Sequence, residues 1–178
     1  MKTLRIGAVR EQRFDSAALS ALARAQSAVP LRRPGPLTEL AIVGVAACLA
    51  GKPDRSTLVL WGARVGARVA GVRVVTDIVI ACEPPFPFDF LATQPILAAI
   101  PLQQSFPCVE SAIYQPWAGD AKLHWQRMQT LAAAFLRAGR HVRALCGQIE
   151  PGENEHFGRW QTLEIEEPVP APDFPGCD

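Results

Sequence analysis

The 178-residue chain is 49% hydrophobic and 20% charged, and its formal net charge is only +1. This length fits one domain with a sizeable core, and the balanced charge argues against an unfolded chain and against a nucleic-acid partner. The longest apolar run, Leu40 to Ala50, is too short to span a bilayer, and charges interrupt residues 1–30, where a secretory signal needs an apolar block. We therefore expect a cytoplasmic protein without a membrane span.

The cysteines predict neither a disulfide framework nor a zinc site. There are five of them, an odd number, spaced more than twenty residues apart and without a CxxC pair: Cys48, Cys82, Cys108, Cys146 and Cys177. We expect reduced thiols and no metal or other cofactor.

Strand and helix patterns alternate along the first half of the chain. Thr3–Val9 is β-rich and predicts an opening strand, and Ser16–Ala28 predicts a helix that its first residue caps. Leu37–Ala50 is almost wholly apolar, which indicates a helix buried on several sides. Ser56–Trp61 predicts a buried parallel strand, and Val65–Ala81 follows it with helical spacing.

The second half begins with a proline-rich stretch. Cys82–Pro107 contains six prolines, so we expect mostly irregular chain with at most one short helix near Gln94–Ala99. Cys108–Tyr114 then predicts a strand, Ala121–Ala138 a strong helix that ends at Gly139, and Val142–Ile149 another strand.

The C-terminal residues predict one more strand and a tail. Arg159–Ile165 favours the strand, whereas acids and prolines from Glu164 onward are typical of extended chain that cannot fold alone. We assign residues 1–165 to one domain and 166–178 to an acidic, proline-rich tail. The alternating elements predict an α/β fold with a parallel or mixed sheet covered by helices.

Three strings within residues 57–150 resemble the N-terminal half of the β-ketoacyl synthases, which have a thiolase-like fold. TLVLWGARVGARVA (57–70) matches their strand, glycine turn and helix. PFPFDFLATQP (85–95) is similar to a segment P-x-x-F-x-x-S-x-x-N, with Thr93 at the Ser position and Ile96 in place of Asn. TLAAAFLRAGRHVRALCGQIE (130–150) resembles the family's helix, strand and G-G-x-E, with Gln148 at the second Gly.

The resemblance implies half of a thiolase-like fold and a partner role rather than a complete enzyme. Family members of this length are the chain length factors of type II polyketide clusters and of aryl polyene and xanthomonadin pigment clusters. A chain length factor pairs with a full-length ketosynthase and helps to shape the tunnel that holds the growing acyl chain. The implied partners are therefore a ketosynthase in a heterodimer, or a second copy in a homodimer, with an acyl-carrier protein as a further candidate.

The resemblance also places a lysine where the family has its nucleophile. The catalytic Cys of a ketosynthase lies about seventeen residues before the glycine that ends its helix, and that count from Gly139 reaches Lys122. A lysine offers no thiolate, and its charge opposes the positive end of the helix dipole. We therefore expect no condensing activity from this chain alone.

Cys108 is the alternative nucleophile, because CVESA (108–112) is similar to the family's C-x-x-S-A. Gln115 and Pro116 follow closely, and they interrupt any helix that begins at Cys108. A second hypothesis is nevertheless a thiol acyltransferase or hydrolase that uses Cys108 with His124. A third is a self-associating structural domain without an acyl ligand. His141 and His156 match no catalytic motif, and we expect His141 to cap a helix and His156 to lie in a solvated loop.

In related two-fold dimers the strand before the nucleophile helix crosses the symmetry axis. The resemblance thus implies that Gln103–Tyr114 is the contact strand. The candidates for contacts with the partner or the tunnel are Gln103, Gln104, Phe106, Cys108 and Tyr114. The small residues Ala132, Ala133 and Ala134 permit close helix packing.

Overall fold

One mixed β-sheet forms the middle of the molecule, and helices cover both of its faces. A computed structural model describes residues 3–32, 34–52, 54–66, 68–84, 93–116 and 119–166. The elements are β1 (Thr3–Ile6), β2 (Arg10–Phe14), α1 (Ser16–Gln26), α2 (Gly35–Leu49), β3 (Thr57–Gly62), α3 (Arg68–Val79), a 3₁₀ turn (Pro95–Ala98), α4 (Ala99–Ser105), β4 (Val109–Tyr114), α5 (Ala121–Arg137), β5 (Arg143–Glu150) and β6 (His156–Glu166).

The sheet combines a parallel half and an antiparallel half. Its strand order is β1-β6-β5-β3-β4, and β2 also pairs with β6. β3 lies parallel to both β4 and β5, whereas β6 is antiparallel to β5, β1 and β2. β4 therefore forms one edge of the sheet among the described residues.

Strand β3 is buried on both faces, which explains its uninterrupted apolar sequence. Val59 and Trp61 face a core layer shared with α1, α2 and the turn before α4. Leu58 and Leu60 face the opposite layer, where they pack against α5. A central parallel strand covered by helices on both sides reads as a continuous apolar run. The predicted α/β class with a mixed sheet is confirmed.

The N-terminal elements differ from the prediction in three respects. The predicted strand Thr3–Val9 ends at Ile6, and an unpredicted strand, β2, follows it, so that two short strands share β6. Asp15, not Ser16, caps α1, because the Asp15 carboxylate accepts the Ala18 N–H at 2.8 Å. α3 begins three residues later than predicted, at Arg68.

The C-terminal elements also correct the prediction. The helix expected near Gln94–Ala99 continues to Ser105, because Pro101 lies in the first turn of α4, where its missing N–H costs no hydrogen bond. β6 is longer than Arg159–Ile165 and runs from His156 to Glu166. The tail predicted from Glu164 is therefore wrong for its first three residues, and 167–178 lie outside the described residues.

Trp160 joins the two halves of the sheet to α2. It lies directly opposite Gly147 in the antiparallel pair of β6 and β5, and its indole is 1% exposed. A Cβ atom on Gly147 or on Gly44 of α2 would overlap this indole. Close packing therefore requires glycine at both positions. Gly147 belongs to the string 130–150 that resembles the ketosynthases, and here its missing side chain makes room for the indole.

We expect Gly147→Ala to lower the free energy of unfolding by about 3 kcal/mol, because the added methyl forces the Trp160 ring out of its site. Gly71→Ala is the matched control. A Cβ on Gly71 meets nothing within 4 Å, so helix propensity should leave this variant equal to or about 0.5 kcal/mol more stable than the wild type. Urea unfolding measures both, and equal midpoints for the two variants would contradict the packing argument.

A buried ion pair holds the end of β6. The Arg143 guanidinium is 2% exposed, and its Nε donates to the Glu164 carboxylate at 2.6 Å, with Lys52 Nζ at 3.0 Å from the same oxygen. Burial alone would raise the pKa of Glu164, but the hydrogen bonds and charges of Arg143 and Lys52 outweigh it and lower that pKa. The charged form of Glu164 therefore stabilises the folded state.

This pair predicts a pH dependence of stability. The pKa of Glu164 in the folded state lies below its ordinary value of 4.5. The stabilisation by its charged form is therefore complete above pH 4.5 and is lost as the pH falls through the folded-state pKa. Glu164→Gln should cost about 3 kcal/mol at pH 7 and should remove this acid-sensitive contribution.

Glu166→Gln is the control for this change. Its 3.6 Å pair with Arg5 is exposed, so we expect a cost below about 1 kcal/mol. Urea unfolding at pH 7 and pH 4 distinguishes the variants. A Glu164→Gln protein as stable as Glu166→Gln at pH 7 would show that the buried pair contributes nothing.

Candidate partner interface and the positions of the thiols and histidines

The outer edge of β4 is the candidate interface. Thr57 N–H donates to the Cys108 carbonyl at one end of the pair with β3, and Gln115 N–H donates to the Trp61 carbonyl at the other. Backbone groups of successive residues alternate in direction along a strand. Ala112 and Tyr114 therefore direct their N–H and carbonyl groups away from β3, where no described strand pairs with them.

The first part of this edge is already closed by the chain itself. Val109 N–H donates to the Phe106 carbonyl at 2.8 Å. The Gln103 side-chain amide donates to the carbonyls of Val109 at 3.4 Å and Glu110 at 3.1 Å. Gln103 thus takes the place of a neighbouring strand over these two residues.

Glu110 is the extra residue of a β-bulge. Thr57 pairs with Val109 and Leu58 pairs with Ser111, so Glu110 has no counterpart on β3. Its carboxylate accepts the Ser56 hydroxyl at 2.6 Å and lies 3.6 Å from Nδ1 of His141. Bulges and charged side chains are common at sheet edges that resist uncontrolled pairing.

The residues proposed for the interface fall into two groups. Gln103 and Gln104 are exposed on α4, and Gln103 reaches the β4 edge. Phe106, Cys108 and Tyr114 are instead half-buried and pack against the core layer that contains Trp61. The predicted contact strand Gln103–Tyr114 is wrong in its first part, since α4 extends to Ser105 and β4 begins only at Val109.

Tyr114 is held by contacts within the chain. Its ring lies edge-on to Trp61 at 4.8 Å between centroids, and its hydroxyl donates to the Ala63 carbonyl at 3.4 Å. Burial, with a smaller contribution from the Glu150 charge, raises the pKa of Tyr114. Its phenol is therefore neutral at pH 7, and its backbone rather than its side chain faces the open edge.

Lys122 lies on the exposed first turn of α5. It is the second residue of the helix, and Asp120 caps that turn by accepting the Leu123 N–H at 2.9 Å. Further along α5, Ala132 and Ala133 are buried toward the sheet, whereas Ala134 faces outward. The outer face carries a shallow groove of about 430 Å³ lined by Leu123, Gln126, Arg127, Thr130, Leu131 and Ala134.

The structure does not bring Cys108 and His124 together. Cys108 adjoins Thr57 at the start of β3, and the His124 ring adjoins Gly62 at its end. Five residues of strand separate these positions by about 16 Å. Burial, with the Asp54 charge second, raises the pKa of the Cys108 thiol, and burial, with Arg127 second, lowers the pKa of His124. Neither group is activated by the other.

The other two histidines are structural. His156 is 2% exposed, so the prediction that it lies in a solvated loop is wrong. Its Nδ1 accepts the Gly152 N–H at 3.3 Å, so its Nε2 carries the proton that it donates to Ser16 Oγ at 2.9 Å. His141 is not a helix cap, because its buried Nδ1 lies 3.0 Å from Ser56 Oγ.

Glu150 closes the turn after β3, a role that the sequence did not reveal. Its carboxylate accepts the Arg64 N–H at 3.0 Å. Burial raises the pKa of Glu150, although the backbone hydrogen bonds of Arg64 and Val65 partly oppose that effect.

Glu110 and Ala112 were also missed as edge residues. The charge of Glu110 inside a short predicted strand was the sequence feature that could have indicated a sheet edge protected against uncontrolled pairing.

The part of the chain that the structure describes contains neither a metal-binding cluster nor a membrane-spanning helix. No three His, Cys, Asp or Glu side chains there form a metal-binding group. No helix there is both long and apolar enough to cross a bilayer.

The thiols should differ in reactivity. Cys82 is exposed, Cys108 is partly buried with a raised pKa, and burial raises the pKa of Cys146 to about 12. We expect iodoacetamide at pH 8 to modify Cys82 about tenfold faster than Cys108, with Cys48 and Cys146 modified only after unfolding. Peptide mass spectrometry over time measures the order. Modification of Cys108 first would indicate an activated nucleophile.

Comparisons with known proteins identify solved structures that share this fold. No family model and no curated protein sequence matches the chain. A structure of a ketosynthase in complex with its chain length factor from Xenorhabdus doucetiae matches with a TM-score of 0.59 and 15% identity, over 93% of this chain and 80% of that chain.

The ishigamide ketosynthase/chain length factor matches with a TM-score of 0.64 and 13% identity. That match covers 94% of this chain and 64% of the other, so this chain spans a little under two thirds of its length. At these identities the similarity concerns the fold, which is the one expected from residues 57–150. The chain therefore has the fold of the ketosynthases and their chain length factors.

Proposed function

We propose that this chain is a non-catalytic, chain-length-factor-like partner of a full-length ketosynthase. The open β4 edge carries the proposal, because the shared fold presents there the backbone groups of Ala112 and Tyr114 without a strand to bind them. Unpaired edges of this kind are templates for a strand from another chain. The proposed setting is cytoplasmic type II polyketide or aryl polyene synthesis, with acyl-carrier protein as an additional contact.

The arrangement of reactive groups supports a partner role rather than catalysis. Lys122 is exposed where the family resemblance expects a nucleophile, and Cys108 lies at the opposite end of the sheet from His124. Ketosynthase chemistry needs a thiolate at a helix N-terminus with imidazoles nearby. We propose that the partner supplies this thiolate and its histidines.

Exposed apolar surface also supports association. Val72, Val75, Ile78 and Val79 of α3 are each at least half exposed. α3 follows Ala63 and Gly66, which lie against the Tyr114 hydroxyl, so this surface begins near the β4 edge. Contiguous exposed apolar area usually marks an interface.

Co-expression with a tagged ketosynthase from the same organism tests the proposal. The wild-type chain should co-purify with the synthase, whereas Ala112→Pro should reduce recovery at least about tenfold, because proline removes the outward N–H. Proline is tolerated on an edge strand whose N–H faces solvent, so the variant should fold.

Leu123→Gln is the control, since Leu123 is 47% exposed on α5 rather than on the β4 edge. This variant should co-purify like the wild type, and circular dichroism should show all three proteins folded. Absence of a wild-type complex, or equal recovery of Ala112→Pro, would refute a ketosynthase bound at this edge.

A further inference from the structure

We infer that the outer face of α5 is a docking site for residues 167–174 of the same chain. In this arrangement the 167–174 segment lies along the shallow groove of α5 and runs from the end of the helix back toward its first turn. The inference does not rest on the proposed function, because it uses neither the β4 edge nor a ketosynthase.

The outer face of α5 is basic. Residues 121–149 contain no Asp or Glu, and four cations of this stretch are exposed: Lys122, Arg127, Arg137 and Arg140. None of the four forms an ion pair with an acid among the described residues. Because these like charges repel one another, an acidic segment against the same face is favoured.

Charged and apolar groups share one stripe of the helix. Its members follow one another at intervals of three or four residues, which places them on one side of an α-helix. They are Leu123, Arg127, Thr130, Ala134 and Arg137. The first four line the groove, and the fifth continues the stripe to the last residue of α5. The stripe thus offers apolar surface together with two positive charges.

The sequence beyond β6 carries the opposite charge. Residues 167–178 contain the acids Glu167, Asp173 and Asp178, and they contain no Lys or Arg. Four prolines in this stretch favour the polyproline II conformation, in which three residues make one turn. Glu167 and Asp173 are six residues apart and would then lie on the same side.

The chain leaves the sheet beside the end of α5. Ile165 N–H donates to the Val142 carbonyl at 3.0 Å, and Ile165 lies in the same apolar layer as Leu136 of α5. β6 ends one residue later, at Glu166. The 167–174 segment therefore starts near Arg137 and needs no long connection to reach the groove.

The acids and the cations have matching separations. Arg137 and Arg127 are ten residues apart, which is about 15 Å along an α-helix. Glu167 and Asp173 are separated by about 19 Å in polyproline II. Arginine side chains are long enough to take up this difference. Glu167 can therefore lie beside Arg137 while Asp173 lies beside Arg127.

The same alignment brings Phe174 to the apolar end of the groove. Phe174 is seven residues after Glu167, or about 22 Å in polyproline II. Leu123 is fourteen residues before Arg137, or about 21 Å along the helix. Leu123 is apolar and yet 47% exposed, so a phenyl ring packed on it removes apolar surface from water.

Tethering strengthens these weak contacts. Single ion pairs at a surface contribute little to binding, but a segment of the same chain is present at a high effective concentration. Any anionic molecule that binds the outer face of α5 must then displace the 167–174 segment.

Disulfide trapping in the full chain tests the alignment. In a background of Cys82→Ser and Cys177→Ser, the pair Leu123→Cys and Phe174→Cys should form an internal disulfide under mild oxidation. Asp173→Lys should slow its formation about fivefold, because it replaces an attraction to Arg127 by a repulsion. Asp178→Lys is the matched control. It makes the same change in charge beyond the aligned residues and should leave the rate unchanged. Mass spectrometry without reduction measures the internal disulfide over time.

Charge exchange distinguishes docking from a general effect of charge. Arg127→Asp alone should also slow trapping about fivefold, and Arg127→Asp with Asp173→Arg should restore the rate to within about twofold of the parent protein. Circular dichroism should show every variant folded, since Arg127 is exposed. Equal rates for Asp173→Lys and Asp178→Lys, or no recovery in the exchanged variant, would overturn the inference. A disulfide between two chains in place of the internal one would also overturn it, because the segment of a second copy would then occupy the site.

Paramagnetic broadening provides a test that leaves α5 unchanged. A spin label on Cys177 of a Cys82→Ser chain should broaden the amide signals of Leu123 and Arg127 more than those of Gln103 and Gln104 on α4. Asp173→Lys should remove this difference. Equal broadening on the two helices before that change would refute docking on α5.

Discussion

The indole of Trp160 is the contact on which the arrangement of layers depends. It crosses Gly147 on β5 and reaches Gly44 on α2, so one ring joins the antiparallel half of the sheet to the helix buried against it. The parallel half, β4-β3-β5, is then attached through β5, which belongs to both halves. Because the ring needs glycines in two separate elements, α2 can pack this closely against the sheet only where Gly44 and Gly147 both face the indole.

The two ends of the parallel strands have different characters. At their amino ends, Ser56, Glu110 and His141 form one hydrogen-bonded cluster that connects the beginnings of three strands. At their carboxyl ends, Glu150 binds the turn after β3, and Tyr114 packs on Trp61. These polar groups at both ends are used within the chain, whereas the outward backbone of Ala112 and Tyr114 meets no described strand.

Much of the fold was predictable because its core segments have simple patterns. The uniformly apolar β3 and α2 and the strong periodicity of α5 gave elements close to those observed. Errors arose where a distant contact decides the local structure. β2 and the first part of β6 depend on pairing with strands that are distant in sequence. The sequence near His156 resembles a loop because its glycines and acids carry no strand pattern. The resemblance pointed to this strand, but it could not predict that Gln103 closes the first part of the edge or that β4 has a bulge, since both depend on how α4 meets β4.

The bulge at Glu110 decides which face of the sheet each later side chain of β4 occupies. Its extra residue sets Ser111 opposite Leu58, so that Ile113 lies in the α5 layer and Tyr114 lies against Trp61. A pairing without the bulge would set Glu110 opposite Leu58 and would shift each later residue of β4 by one place, so that Ile113 and Tyr114 would exchange faces. The same shift would turn the outward backbone groups of Ala112 and Tyr114 toward β3, so both the core and the open edge depend on one unpaired residue.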